Sequence, residues 1–226
     1  MIKKIVISNF QCHCVPFNGS NQAVYLIYPE LAELSDEWLE KMSSLYKRSV
    51  VAVYVPADKW NDVLTPWPEP GEAKGCPPFA GKSKEFLNLL TSQILPGAEN
   101  ALGNLKIVNR DLIGVSLSGL FTLWQWILCD TFNSIGCLSG SFWYNGFLSW
   151  FDAQTLPKKG GKAFFLLGDE EPHSHVKAFQ SVGVNTEAIV KRLKDGGLDV
   201  SFQWVPGNHF SRPVHRAEKA FEALFS

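Results

Sequence analysis

Long apolar runs are absent from this chain of 226 residues, and so is any excess of charge of one sign. The most apolar stretch, "FTLWQWILC" at residues 121–129, is about half the length that spans a bilayer, and Gln125 interrupts it. No membrane span is expected. At the N-terminus "MIKKIVISNF" pairs two lysines with a few apolar residues, but Ser8, Asn9 and Gln11 break the run before a secretory core forms, so it reads as a first strand. A formal net charge of -1 with the signs interspersed leaves no basic surface for phosphates, which argues against nucleic acid and anionic membranes as partners. Cysteine is sparse as well. The five are odd in number and lack the spacing of a disulfide framework, and Cys129 and Cys137 sit in apolar segments where a thiol behaves as a small hydrophobe. Such usage fits a reducing cytoplasm. No internal repeat or low-complexity tract is visible.

What is present is aromatic. Hydrophobic residues make up an ordinary 46%, but 13% are aromatic and eight are Trp, side chains that need a core or an apolar pocket. The length suits one α/β domain over residues 1–226. Buried strands are expected at 23–29, 50–56, 110–115, 134–140, 162–168 and 199–207. Helices are expected at 35–49 (opened by Ser35), at 82–95, after Ser116, at 185–197 (opened by Asn185) and at 212–225 with Pro213 in the first turn. A long loop with Pro and Trp fills 57–81. Strands alternating with helices imply βαβ units, hence a mostly parallel central sheet with helices on both faces.

Ligands bind such sheets at the carboxyl ends of the strands. Three polar features lie there: Ser116 after "RDLIGV", the cluster Asp169, Glu170 and Glu171 after "KAFFLLG", and His209 after "DVSFQWVPGN". The order nucleophile, acid, base suits an α/β hydrolase. A serine hydroxyl attacks a carbonyl only if an imidazole takes its proton, and the imidazole needs a carboxylate to fix its tautomer. The sharp strand-to-helix turn that lifts the hydroxyl requires small neighbours, here Gly114, Ser118 and Gly119. The helix that follows aims free N–H groups at a developing oxyanion, the backbone of Leu117 first.

On "GVSLSGLF", "SGSFWYNGF", "LLGDEEP" and "PGNHF", the chain from about residue 23 onward resembles the α/β-hydrolase fold esterases related to enterochelin esterase. That resemblance implies a Ser-acid-His hydrolase of carboxylic esters, including siderophore-type lactones, with Ser116 as nucleophile, His209 as base and Glu171, the Glu before Pro, as acid. Asp169 is the alternative acid. Two departures stand out: Ser118 replaces the last Gly of GxSxG, and "IYPEL" replaces the glycine after the oxyanion-hole strand. Pro29 has no N–H, so the second oxyanion donor is expected at Glu30 or Leu31. The expected partner is a small-molecule ester, and the chemistry needs no cofactor.

Each feature also has a plainer interpretation. Ser116 could cap its helix, His209 could brace its own turn, and a dyad without an acid is conceivable. His173, His175 and His215 read as loop or helix residues. "CHC" at 12–14 contains zinc-ligand types, but no second cluster completes four ligands, so no metal is expected. "GCPPFAGKS" fails as a phosphate loop, since five residues separate its glycines and prolines remove donors. Trp124 and Trp126 are expected in the core, whereas Trp60, Trp67 and Trp143 either line an acyl or aryl pocket or anchor loops. Besides ester hydrolysis, the same parts serve an acyltransferase or a thioesterase, and a catalytically silent scaffold is the alternative from another class.

Overall fold

Ten strands and eight α-helices appear in the computed structural model, which describes residues 1–32, 34–103, 105–158 and 160–226. In chain order the strands are β1 (Lys3–Ile7), β2 (Phe10–Val15), β3 (Gln22–Pro29), β4 (Ser49–Val55), β5 (Pro68–Glu69), β6 (Phe79–Ala80), β7 (Asn109–Val115), β8 (Ile135–Leu138), β9 (Lys162–Gly168) and β10 (Asp199–Val205). The helices are α1 (Asp36–Tyr46), α2 (Ala57–Val63), α3 (Ser83–Leu89), α4 (Leu95–Ala101), α5 (Leu117–Leu128), α6 (Phe147–Asp152), α7 (Val182–Asp195) and α8 (Pro213–Phe225).

Eight strands form one sheet in the order β1-β2-β4-β3-β7-β8-β9-β10. From β4 to β10 every neighbouring pair is parallel, and only β2 against β4 and β1 against β2 run antiparallel. Alternation along β3 shows why both faces are covered. Ala23, Tyr25 and Ile27 enter one apolar cluster, with α3 to α7 over it, while Val24, Leu26 and Tyr28 enter the other, under α1 and α8. Five consecutive parallel pairs leave their carboxyl ends along one rim, and the polar features singled out above lie on that rim.

The elements depart from the sequence-based expectations in four places. The first strand is a hairpin: Ser8 and Asn9 both take positive φ (50° and 68°) between Ile7 and its partner Phe10, the left-handed pair that a two-residue turn needs. In consequence "CHC" lies on β2, where alternation sends Cys12 and Cys14 into one apolar cluster and turns His13 the other way, beside Asp36. The loop at 57–81 holds α2 and the small β5–β6 hairpin. The helix expected at 82–95 runs on through a π-turn at Leu90–Ile94 into α4, where Pro96 sits in the first turn and needs no acceptor for a missing N–H. Finally, α7 starts at Val182, and Asn185 lies inside it, donating from Nδ2 to Phe142 O (2.8 Å). Ser35 does cap α1, accepting from Trp38 N (3.2 Å).

All five cysteines are free thiols, and Cys12, Cys14 and Cys137 are buried. Burial pushes the Cys12 and Cys14 thiols up to about 12. Among the described residues no helix is long and apolar enough to cross a membrane.

Helix α5 is buried almost all round, and its Phe121 packs on Phe86 with ring centroids 5.2 Å apart. Phe121→Ala should lower the unfolding free energy by about 3–5 kcal/mol in urea denaturation. A loss below about 1 kcal/mol would show that this helix does not anchor the core.

Candidate active site

Ser116 sits between β7 and α5 with φ 58° and ψ -123°, a conformation that costs a non-glycine residue of order 1–3 kcal/mol. The surroundings hold it there. Its N–H donates to Leu138 O (2.9 Å), and its own carbonyl accepts from Leu120 N (3.1 Å) and Ser141 N (3.0 Å). Close approach of strand and helix explains the small residues. A Cβ on Gly114 would lie 2.3 Å from Ser118 O, and one on Gly119 would lie 3.0 Å from Gly140 Cα. Ser118 does more than stay small: its buried hydroxyl accepts from Val115 N (2.7 Å) and donates toward Ile27 O (2.6 Å), tying the turn to β3. A glycine there would lose both bonds.

Around this turn the ends of β9 and β10 bring a carboxylate and an imidazole. His209 Nε2 lies 3.0 Å from Ser116 Oγ, and His209 Nδ1 lies 2.7 Å from Glu171 Oε2. Glu171 opens a 3-10 turn after β9 and is only 6% exposed. Its Oε1 accepts from Gly168 N (2.8 Å), Ser139 Oγ (2.7 Å) and Arg216 Nη1 (2.7 Å). Burial by itself would raise the carboxyl's pKa, but the contacts with His209, Ser139 and Arg216 outweigh it and hold the group below the usual carboxylate range. An ionised Glu171 facing Nδ1 places the ring proton there and leaves Nε2 an acceptor for the serine proton.

Asp169 occupies a different position. It is exposed, and its Oδ1 accepts from Gly207 N (2.8 Å), bracing the turn that carries His209. Glu170 is also exposed. Of the three acids, only Glu171 meets the imidazole among the described hydrogen bonds.

Leu117 is the first residue of α5 and borders the cavity beside Ser116, so its N–H lies where the helix supplies no acceptor. Glu30 opens a 3-10 turn directly after β3, the neighbour of β7, and its side chain is exposed. Ser116 and His209 open into a cavity of about 850 Å³. Trp60 and Trp143 stand in its wall, the latter 4.5 Å from Phe179 between ring centroids. Trp67 instead anchors a loop: its Nε1 donates to Asn145 O (3.0 Å), and its ring packs on Tyr144 and Trp150. His173 and His175 border the cavity, while His215 lies on α8 near Glu218.

Two members of the site escaped the sequence reading. Arg216 is 2% exposed, bonds Glu171 and Ser139 through Nη1, and donates from Nη2 to Asn208 O (2.6 Å), next to His209. The signal was there: Arg216 falls on the stripe Ala217, Ala220, Phe221 and Leu224 that α8 buries, and a buried cation requires an anion. Ser139, held at φ 48° after β8, had no comparable signal.

Comparison with known proteins gives a consistent picture. Residues 28–209 match the family model described as "Esterase: Putative esterase". The chain is 24% identical over 187 residues to "Uncharacterized protein YbbA" of Bacillus subtilis (strain 168), covering 80% of this chain and 74% of that protein. An IroE-like serine hydrolase from Shewanella oneidensis superposes with a TM-score of 0.79 at 15% identity, over 100% of this chain and 80% of that one. Siderophore hydrolase EstB from Aspergillus nidulans does so with a TM-score of 0.73 at 16% identity, over 100% and 94%. The architecture is the α/β-hydrolase fold.

Because the folded-state pKa of Glu171 is depressed, its contribution to stability is present above the unfolded carboxylate value of about 4.3 and is lost as pH falls through the folded value. Chemical denaturation should therefore show a steeper acid-side loss of stability for wild type than for Glu171→Gln; equal slopes would remove Glu171 from the account. Arg216→Met, which leaves that carboxylate buried without its cation, should cost about 3–5 kcal/mol in the same assay near pH 7. A cost under about 1 kcal/mol would contradict the pairing.

Proposed function

The chain belongs to the esterase family whose model spans residues 28–209, and from that membership we propose that it cleaves carboxylic esters through a covalent acyl-enzyme on Ser116. One observation carries the reading: a continuous chain of hydrogen-bonding distances from Ser116 Oγ through His209 to Glu171, opening into an 850 Å³ cavity. Ser116 Oγ attacks the ester carbonyl while His209 Nε2 takes the proton. Glu171 stabilises the imidazolium that forms. The tetrahedral oxyanion receives the Leu117 N–H, with Glu30 N–H as the second donor. Collapse expels the alcohol, which takes its proton from His209. Water then attacks the acyl-enzyme with His209 again as base, releasing the carboxylic acid and restoring Ser116.

The cavity volume falls in the range that suits a small-molecule substrate, and Trp60, Trp143 and Phe179 provide apolar surface for an acyl or aryl group. Two structural neighbours are, by name, an IroE-like serine hydrolase and a siderophore hydrolase, which favours siderophore-type esters and lactones as the substrate class. Five free thiols fit a cytoplasmic setting, and one eight-stranded sheet fits residues 1–226 working as a single domain.

A fluorophosphonate probe should label the wild type and leave Ser116→Ala unlabelled; labelling of both, or of neither, would overturn the esterase reading. With nitrophenyl esters as substrates, Glu171→Gln should lower kcat roughly a thousandfold or more with a smaller effect on KM. A change of less than about tenfold would mean that the carboxylate does not orient His209.

A further inference from the structure

Apart from the imidazoles of His173, His175 and His209, the charge-bearing side chains of the cavity wall are of one sign. Among the described residues that line it there is no Lys and no Arg, whereas Glu72, Glu170 and Glu171 all reach it. Glu171 is neutralised by Arg216 and engaged by His209. Glu72 is different: its Oε2 is buried in the wall and has no hydrogen-bond partner among the described residues. A carboxylate oxygen left without a donor inside the wall is costly, so a positive charge in the adjoining cavity is worth most here.

The same wall is aromatic. Phe79 stacks obliquely against Trp143 (centroids 6.1 Å), Trp143 against Phe179 (4.5 Å), and Trp60 faces the same space. Ring faces carry negative potential and attract cations within about 6 Å of their centroids, most strongly where water is excluded. Aromatic faces combined with unneutralised carboxylates form the chemistry that recognises ammonium groups.

We infer that the cavity selects esters carrying an ammonium or substituted ammonium group, held between the Trp60, Phe79, Trp143 and Phe179 rings and the carboxylates of Glu72 and Glu170. This rests on the esterase reading of Ser116 and narrows its substrate. Within the siderophore-type esters and lactones favoured above, this selects those that carry a free ammonium group over anionic ones, which meet repulsion from the same two carboxylates.

Two measurements test it. Matched nitrophenyl esters that differ only in a trimethylammonium, tert-butyl or carboxylate tail should give kcat/KM in that order, with the ammonium ester about tenfold or more above its neutral isostere. Glu72→Gln and Glu170→Gln should each shrink the ratio of ammonium to neutral ester several-fold, a ratio insensitive to the fraction of folded protein. In Ser116→Ala, where turnover is removed, benzyltrimethylammonium should quench tryptophan fluorescence saturably, and adding Glu72→Gln should weaken that binding about tenfold. Neutral or anionic esters preferred over the ammonium ester, a ratio unmoved in both Gln variants, or no saturable quenching would each overturn the inference. Saturable binding of the cation by a protein that fluorophosphonate does not label would leave the cation pocket standing and remove the esterase reading instead.

Discussion

The carboxylate of Glu171 is the point on which the site turns. It is buried, so leaving it charged is expensive, and the fold satisfies it from four directions: a backbone N–H, the Ser139 hydroxyl, the Arg216 guanidinium and His209. Those contacts come from the ends of β8 and β9, from α8 and from the loop after β10. Arg216 reaches both the carboxylate and the carbonyl of Asn208, so one buried cation fixes Glu171 and the loop that carries His209. Orientation of the imidazole toward Ser116 follows from that arrangement: the ring is 32% exposed on a surface loop and packs edge-on against Phe210, itself an exposed side chain, so the carboxylate sets its direction.

A second constraint is steric. Ser116 is held in a strained backbone conformation by hydrogen bonds from β8 and from the loop after it, and by close strand-to-helix packing that admits only hydrogen at Gly114. Ser118 shows how the chain departs from a glycine-only turn without loss. Its hydroxyl replaces empty space with two short bonds, one to the neighbouring strand β3, so the turn is braced against the sheet. The strain at Ser116 is supported by a buried, well-connected core on both faces of the sheet.

Much of this was legible in the sequence because it depends on periodicity and order along the chain. Alternating apolar runs and amphipathic stretches located the parallel strands, and Ser116, His209 and the acidic cluster followed from position after a strand. What periodicity could not resolve was which of three adjacent acids meets the imidazole. That depends on one 3-10 turn, which buries Glu171 and leaves Asp169 outside to brace Gly207. Local turn chemistry likewise hides the β1–β2 hairpin: along the sequence Ser8 and Asn9 interrupt an apolar run, whereas in the fold they form a left-handed pair. Trp60, Trp67 and Trp143 were indistinguishable as letters; only loop conformation sends Trp67 into packing with Tyr144 and Trp150 and leaves the other two in the cavity wall. Arg216 is legible from its place on the buried stripe of α8, where a charge requires a partner of opposite sign.

Everything at the site depends on an ionised, buried Glu171 accepting a short hydrogen bond from the Nδ1–H of His209. A proton held in such a bond is strongly deshielded and exchanges slowly with water, so one-dimensional proton NMR tests it directly. Wild type should show a far-downfield imidazole N–H resonance that survives in Ser116→Ala and disappears in Glu171→Gln. A resonance that persists without the carboxylate, or that is absent from the wild type at low temperature, would contradict it.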